Sequence, residues 1–248
     1  MWKVVSLLAL VSTPILAGPI EEARTLMEQG RYQQAAGVLE GALRNEASKP
    51  AALVEITRLY NETEDYEKSV DYGKQAIEAL PESSAAHLEY ARALKIKMNE
   101  ISRIKSTFLI GTYKAELRKA LELDPENVRA RVEEIGFFIY APGVIGGSET
   151  KAQERINSLK KTAWRDAMLM QADLRREQKD PEGAIRTYKE MIGRDPEDAY
   201  AYWRLGLAYE KLGRVDEARE ALEKAVALDG DNEQAQDSLE KLNRLAGS

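Results

Sequence analysis

The sequence of 248 residues contains no cysteine and a single histidine. The lack of cysteine excludes disulfides, thiol nucleophiles, iron–sulfur clusters and cysteine-ligated zinc, and one histidine excludes any site that needs two imidazoles. Acidic residues outnumber basic ones by 42 to 36, and the net charge of −6 argues against general binding to nucleic acid. Charged residues make up 31% and hydrophobic residues 44%, a balance typical of a soluble, folded chain.

Residues 4–17 are free of charge and mostly apolar, and they follow the basic start at residues 1–3. As a helix this stretch would span roughly 21 Å, too short for a bilayer core of about 30 Å. The positive start, the apolar segment and the small residues Ala17 and Gly18 predict a signal peptide over residues 1–17, cleaved near Ala17. An uncleaved anchor is the alternative. An exported chain without cysteine suits a bacterial periplasm, so we expect a periplasmic mature chain without a transmembrane span.

Enzyme motifs are also missing, among them GxxxxGK[ST], GxGxxG, HExxH and GxSxG. The glycines Gly143, Gly146 and Gly147 precede Ser148, a predicted helix N-cap, and could cradle a phosphate. No lysine follows at the required spacing, so a tight connector with glycines at positive φ is the favoured interpretation. His87 has no evident catalytic partner and is interpreted as a packing residue. We therefore expect no enzymatic activity, no catalytic residue, no cofactor and no metal.

The rest of the chain has a helical pattern that repeats. Apolar and small residues recur at three- and four-residue spacing, as in Leu205, Ala208 and Leu212. The pattern returns with a period of 34 residues and is clearest around the segment YWRLGLAY, which begins at Tyr202. Four units share this register: residues 16–49, 50–83, 165–198 and 199–232.

These units resemble the tetratricopeptide repeat (TPR) family over about residues 16–245. The resemblance implies an all-α fold, a right-handed α-solenoid of about six helix pairs that ends in a C-terminal capping helix. The predicted divisions are a signal peptide at 1–17, repeats 1–2 at 18–83, repeat 3 at 84–127 with an insertion at 95–113, repeat 4 at 128–164 with a Gly-Gly loop at 141–147, repeats 5–6 at 165–232 and a capping helix at 233–248.

The middle of the chain has a narrower resemblance. Its extended basic helix and its loop Tyr-Ala-Pro-Gly-Val-Ile-Gly-Gly-Ser are similar to those of small exported bacterial TPR proteins with a YAPGxxGGS loop. More weakly, the loop resembles that of TPR subunits which accompany some periplasmic TRAP-type solute transporters. This resemblance covers about residues 95–152 and carries no established activity with it.

Positive charge is concentrated in the insertion and the residues that follow it. Residues 95–119 contain 7 basic and 2 acidic residues, a net charge of +5, within an otherwise acidic chain. The same segment carries apolar residues such as Ile104 and Phe108. Two interpretations remain open: a surface that contacts an acidic partner or lipid, or apolar residues that pack on the neighbouring repeats beneath solvated charges.

The family's concave face is lined mainly by the first helix of each pair. The resemblance implies partner-binding residues at these positions, and the insertion adds three more: Arg58, Asn61, Arg92, Lys95, Arg129, Tyr140, Trp203 and Lys211 from the first helices, with Lys97, Arg103 and Lys105 from the insertion. The family's carboxylate-clamp pattern is not reproduced. Glu55 and Glu133 stand where it has an amide and a basic residue.

The sequence thus predicts an exported, non-enzymatic TPR scaffold that binds a protein or peptide in its concave groove. The alternative is a periplasmic solute-binding accessory component, resembling the transporter-associated TPR subunits. Such a component would hold a small apolar or acidic ligand near the insertion and the Gly-Gly loop. Nucleic acid is not an expected partner.

Overall fold

The computed structural model describes residues 18–246, so the predicted signal peptide at residues 1–17 lies outside the described part of the chain. Residues 18–246 form thirteen α-helices and one 3-10 turn, and no strand occurs among them. Twelve helices follow one another as six pairs and the thirteenth follows the last pair. This confirms the predicted all-α architecture of six helix pairs with a C-terminal helix.

The helices are α1 (Pro19–Glu28), α2 (Tyr32–Ala42), α3 (Lys49–Glu62), α4 (Tyr66–Ala79), α5 (Ser84–Glu100), α6 (Arg103–Leu123), α7 (Val128–Tyr140), α8 (Glu149–Leu159), α9 (Trp164–Glu177), α10 (Pro181–Arg194), α11 (Ala199–Lys211), α12 (Val215–Leu228) and α13 (Glu233–Ala246). The 3-10 turn, Gly143–Ile145, lies between α7 and α8. None of the helices among residues 18–246 is long and apolar enough to cross a membrane.

The chain divides into two compact units at Asp124. In the N-terminal unit the first helices α1, α3 and α5 pack on one another in succession, and each also packs on the second helix of its pair. Small residues such as Ala23 and Ala52 are fully buried beside Leu39 and Ile56 in the core of the first two pairs. No pair could bury this apolar surface alone, so stacking of the pairs stabilises the unit.

The C-terminal unit repeats this arrangement from α7 to α13. Ala172, Ala184 and Ala218 are fully buried and permit close approach of the helices, while Tyr188 and Leu222 fill the space between them. The first helices α7 and α9 pack directly, as do α11 and α13. Helices α9 and α11, both within the described residues, approach each other less closely.

Three positions show why glycine is required. Gly206 on α11 faces α12 so closely that an added Cβ would lie 2.6 Å from Cγ of Leu222. In the connector between α7 and α8, Gly146 has φ of 116°, the left-handed region that favours glycine. Gly147 does not have a positive φ, but an added Cβ would overlap the carbonyl oxygen of Ala141. The positive φ expected for all three connector glycines thus occurs at one of them, and close backbone approach explains a second.

Candidate functional site

Three of the predicted partner-binding residues meet around one buried carboxylate in the N-terminal unit. Glu89 on α5 is fully buried. Arg58 approaches it from α3 with Nε 3.2 Å from a carboxylate oxygen, and Arg92 approaches within α5 at 3.1 Å. Asn61 is 4% exposed and its amide nitrogen donates to the Glu89 backbone carbonyl at 2.9 Å and to its carboxylate at 3.0 Å. Arg58, Asn61 and Arg92 therefore make internal contacts with a buried residue of the first helices.

These contacts belong to a ladder with the period of the repeat. The ladder consists of glutamates and arginines that recur every 34 residues: Glu21, Glu55 and Glu89, with Arg24, Arg58 and Arg92. Within each helix the arginine lies within 3.4 Å of the glutamate three residues earlier. Arg24 and Arg58 also reach the glutamate of the next first helix, at 2.6 Å and 3.2 Å. This ladder was not predicted above, although its 34-residue spacing is visible in the sequence.

The basic residues of the insertion lie on the third helix pair. Lys95 and Lys97 are in the last two turns of α5, exposed and half-buried respectively, and Lys105 is exposed at the start of α6. The side chain of Arg103 lies outside the described part of the structure. Ile104 and Phe108 on α6 are exposed, whereas Tyr113 on the same helix is buried.

The C-terminal unit holds the remaining predicted residues. Arg129 is exposed near the start of α7, and Tyr140 at its end is 54% exposed. Trp203 on α11 is half-buried, and its indole nitrogen donates to the hydroxyl of Ser238 at 3.1 Å. Lys211 is exposed at the end of α11. Of these four residues, only Lys211 lines the cleft described next.

A cleft of about 580 Å³ lies among α9, α10 and α11. Its apolar lining comes from Pro181, Ala184, Leu207, Ala208 and the ring of Tyr188, and its charged lining from Arg176, Lys179, Arg204 and Lys211. Among the described residues that line it there are four cations and no carboxylate. The cleft lies where α9 and α11 are less closely packed than the other first helices of this unit. It can accept an anionic group beside an apolar one.

One carboxylate beside the cleft contacts two of its four cations. Arg176 lies 2.6 Å from Asp173 on the same helix, and Arg204 reaches Asp173 from α11 at 3.7 Å. Arg204 also donates to the hydroxyl of Tyr188 at 3.4 Å. Desolvation, the charge of Asp173 and a hydrogen bond with it raise the pKa of Tyr140. Asp173 therefore connects side chains of α7, α9 and α11.

Sequence reasoning missed three of the four cleft cations, Arg176, Lys179 and Arg204. One signal was available, because Arg204 and Lys211 are seven residues apart and share a face of α11. Arg176 on α9 could be identified as a cleft residue only from the way in which the three helices pack. As for metals, no cluster of three or more potential ligands of the His, Cys, Asp and Glu types occurs within residues 18–246.

Comparison with known families identifies the class of protein. The family model of the tetratricopeptide repeat matches residues 20–84 and 169–241, which together make up more than half of the chain. The chain therefore belongs to the TPR family. TPR proteins are generally non-enzymatic scaffolds for protein–protein interaction. No curated protein sequence matches the chain.

Solved structures share the fold at low sequence identity. PilW, a widely conserved type IV pilus biogenesis factor, is 18% identical with a TM-score of 0.60 over 89% of this chain and 96% of its own. A TPR protein from Parabacteroides merdae ATCC 43184 is 14% identical with a TM-score of 0.54 over 90% of this chain and 96% of its own. Human IFIT1, in a dimer with m7Gppp-AAAA, is 19% identical with a TM-score of 0.51. The match covers 86% of this chain and 54% of IFIT1. These similarities show the fold alone.

Proposed function

We propose that this chain is an exported, non-enzymatic TPR scaffold that binds a polypeptide along its first helices, with the cleft among α9, α10 and α11 as the main anchor. The observation that carries the proposal is the combination of four cations and an apolar lining in that cleft. Family membership supports a protein or peptide as the partner. The signal peptide predicted over residues 1–17, with cleavage expected near Ala17, supports export to the periplasm.

The chemistry of the cleft defines the segment that it suits. Carboxylates of a bound peptide would pair with Lys179 and Lys211, which line the cleft and are exposed. An apolar side chain of the same peptide would cover Leu207 and Ala208. The partner segment is therefore one that has acidic residues next to an apolar one. Its affinity should fall with rising salt, because exposed charge pairs are screened.

A solute-binding role is the second candidate. A volume of about 580 Å³ falls within the range of sites for small molecules. The same cations and apolar lining would hold a small acidic ligand with an apolar part. The two candidates share the cleft and differ in the size of the occupant.

The test is crosslinking in the host cell followed by capture of the tagged chain. Captured material is analysed for both polypeptides and small molecules. The variant K179E/K211E reverses two exposed charges of the cleft. The matched control K74E/K161E reverses two exposed lysines elsewhere. A polypeptide that the wild type and the control retain, and that the cleft variant loses at least tenfold, supports the scaffold.

A small molecule that is lost in the cleft variant, with no polypeptide, would replace the scaffold by the solute-binding role. Equal capture of the same partner by all three proteins would contradict a role for the cleft. Export is tested separately by fractionation and by determination of the N-terminal residue of the accumulated protein. A start at Gly18 in the periplasmic fraction supports it, and an intact Met1 in the cytosolic fraction contradicts it.

A further inference from the structure

The third helix pair is longer than the second at one end. Helices α3 and α4 have 14 residues each, whereas α5 has 17 and α6 has 21. Helices α4 and α6 end at equivalent places, two residues before Pro81 and Pro125. The seven extra residues of α6 therefore lie at its start, residues 103–109, where they add about 10 Å of helix at 1.5 Å per residue. Together with the end of α5, they form a projecting hairpin tip, residues 97–109.

The tip exposes large apolar side chains. Ile104 is 76% exposed and Phe108 is 80% exposed. Four residues apart on one helix, they lie on the same face. That face continues through Gly111 and Ala115, which are also exposed, and meets no carboxylate before Glu122. A soluble helix normally buries such a stripe, and here the stripe points away from the buried face of α6.

Positive charge surrounds this stripe. Exposed Lys105 lies on the tip beside Ile104, and half-buried Lys97 lies on the α5 side. Of the two acidic residues in residues 95–119, Glu100 is exposed on the tip, and Glu116 is hydrogen-bonded to His87, with 2.6 Å between the carboxylate and ring Nδ1. Since the whole chain has a net charge of −6 and this segment +5, all other residues together carry −11. The tip thus lies in a cationic segment of an acidic protein.

We propose that the hairpin tip docks the protein on an anionic lipid surface. Phe108 and Ile104 would enter the boundary between headgroups and acyl chains, which admits apolar side chains to a depth of about 5–10 Å. Lysines beside them would pair with lipid phosphates. A protein partner would need a matching pocket for these side chains, whereas the headgroup boundary of a bilayer accepts them without one.

Charge complementarity also favours the tip as the point of contact. An anionic membrane attracts its lysines, whereas the acidic segments of the chain are repelled. None of the residues that line the cleft among α9, α10 and α11 belongs to the tip. Lipid docking therefore goes beyond the proposed binding of a polypeptide and can be tested independently of it.

Sedimentation with lipid vesicles tests the proposal. The protein is purified in the form that its host accumulates and is mixed at low salt with vesicles of phosphatidylcholine and phosphatidylglycerol, 3:1, or of phosphatidylcholine alone. F108S removes the most exposed ring, and V144S is its control because Val144 is 95% exposed in the other unit. K97E/K105E reverses charges of the tip, and K74E/K161E is its control.

The expected result is partition of the wild type and both controls onto the anionic vesicles. Partition should be at least tenfold weaker for F108S, for K97E/K105E and for vesicles without phosphatidylglycerol, with unchanged helicity and thermal midpoint. Failure of the wild type to bind the anionic vesicles would overturn the proposal. Equal binding of tip and control variants, or equal binding to both vesicle types, would also overturn it. Capture of a protein through Phe108 without vesicle binding would assign the tip to a protein partner instead.

Discussion

The guanidinium of Arg58 on α3 lies 3.2 Å from the carboxylate of Glu89 on α5 and 3.0 Å from that of Glu55 on its own helix. Both carboxylates are almost completely buried, whereas the arginine side chain is 23% exposed. Each buried negative charge is thus neutralised by a cation that keeps contact with water. Because Arg24 makes the same link from α1 to Glu55, the arrangement holds three successive first helices in register.

Substitution of Glu89 tests the ladder. Glu89→Gln removes the charge that faces Arg58 and Arg92 and should lower the free energy of unfolding by about 2–3 kcal/mol. Glu62→Gln is the control, because the Glu62 side chain is 39% exposed and pairs with Arg92 at 3.2 Å. Glu62→Gln should lower the free energy of unfolding by less than about 1 kcal/mol. Equal losses in denaturant titrations of the two variants would contradict a stabilising role for the buried carboxylate.

The close contact between α11 and α12 makes a second prediction. Gly206→Ala would force the fully buried Leu222 to shift. The substitution should therefore lower the free energy of unfolding by about 1–3 kcal/mol. Gly37 lies within α2 and has open space around an added Cβ. Gly37→Ala should therefore raise stability by about 0.5–1 kcal/mol, because alanine favours helix. Thermal unfolding compares both with the wild type, and a stabilised Gly206→Ala protein would contradict the packing described here.

The connector between α7 and α8 makes a third prediction. Gly147→Ala places a Cβ on the carbonyl oxygen of Ala141, so the connector must rearrange. The free energy of unfolding should fall by about 1–3 kcal/mol. Gly143→Ala meets open space at an ordinary φ and should be nearly neutral. Hydrogen exchange at the start of α8 measures the local effect. Identical exchange in the two variants would show that the close approach is not required.

Tyrosine ionisation makes a fourth prediction. Burial raises the pKa of Tyr188, and burial with the charge of Glu116 raises the pKa of Tyr90. In the unfolded chain these hydroxyls ionise near pH 10. The folded protein therefore retains protons that the unfolded chain has lost, so stability is full below about pH 10 and falls as pH rises through the folded pKa values.

Alkaline titration followed by tyrosine absorbance checks this result. The native protein should show a group of late-ionising tyrosines that is missing in denaturant, and Tyr188→Phe should remove one of them. Titration of all tyrosines near pH 10 in the folded protein would contradict the burial described.

Local patterns predicted much of the fold. Ser148 was recognisable as a helix cap, and its hydroxyl accepts a hydrogen bond from the backbone NH of Lys151. The ladder was harder to predict, because Arg58 and Glu89 are 31 residues apart and meet only when successive first helices stack. The cleft could not be predicted, since it depends on how far α9 stands from α11.

Photo-crosslinking from inside the cleft tests the central claim most directly. A photoreactive benzophenone side chain replaces Leu207, which lines the cleft, or Lys161, which is exposed outside it. If the cleft anchors a polypeptide, position 207 will crosslink in the host cell to a segment with acidic residues beside an apolar one, and position 161 will not. Crosslinking of the captured partner at position 161 and not at position 207 would contradict the account.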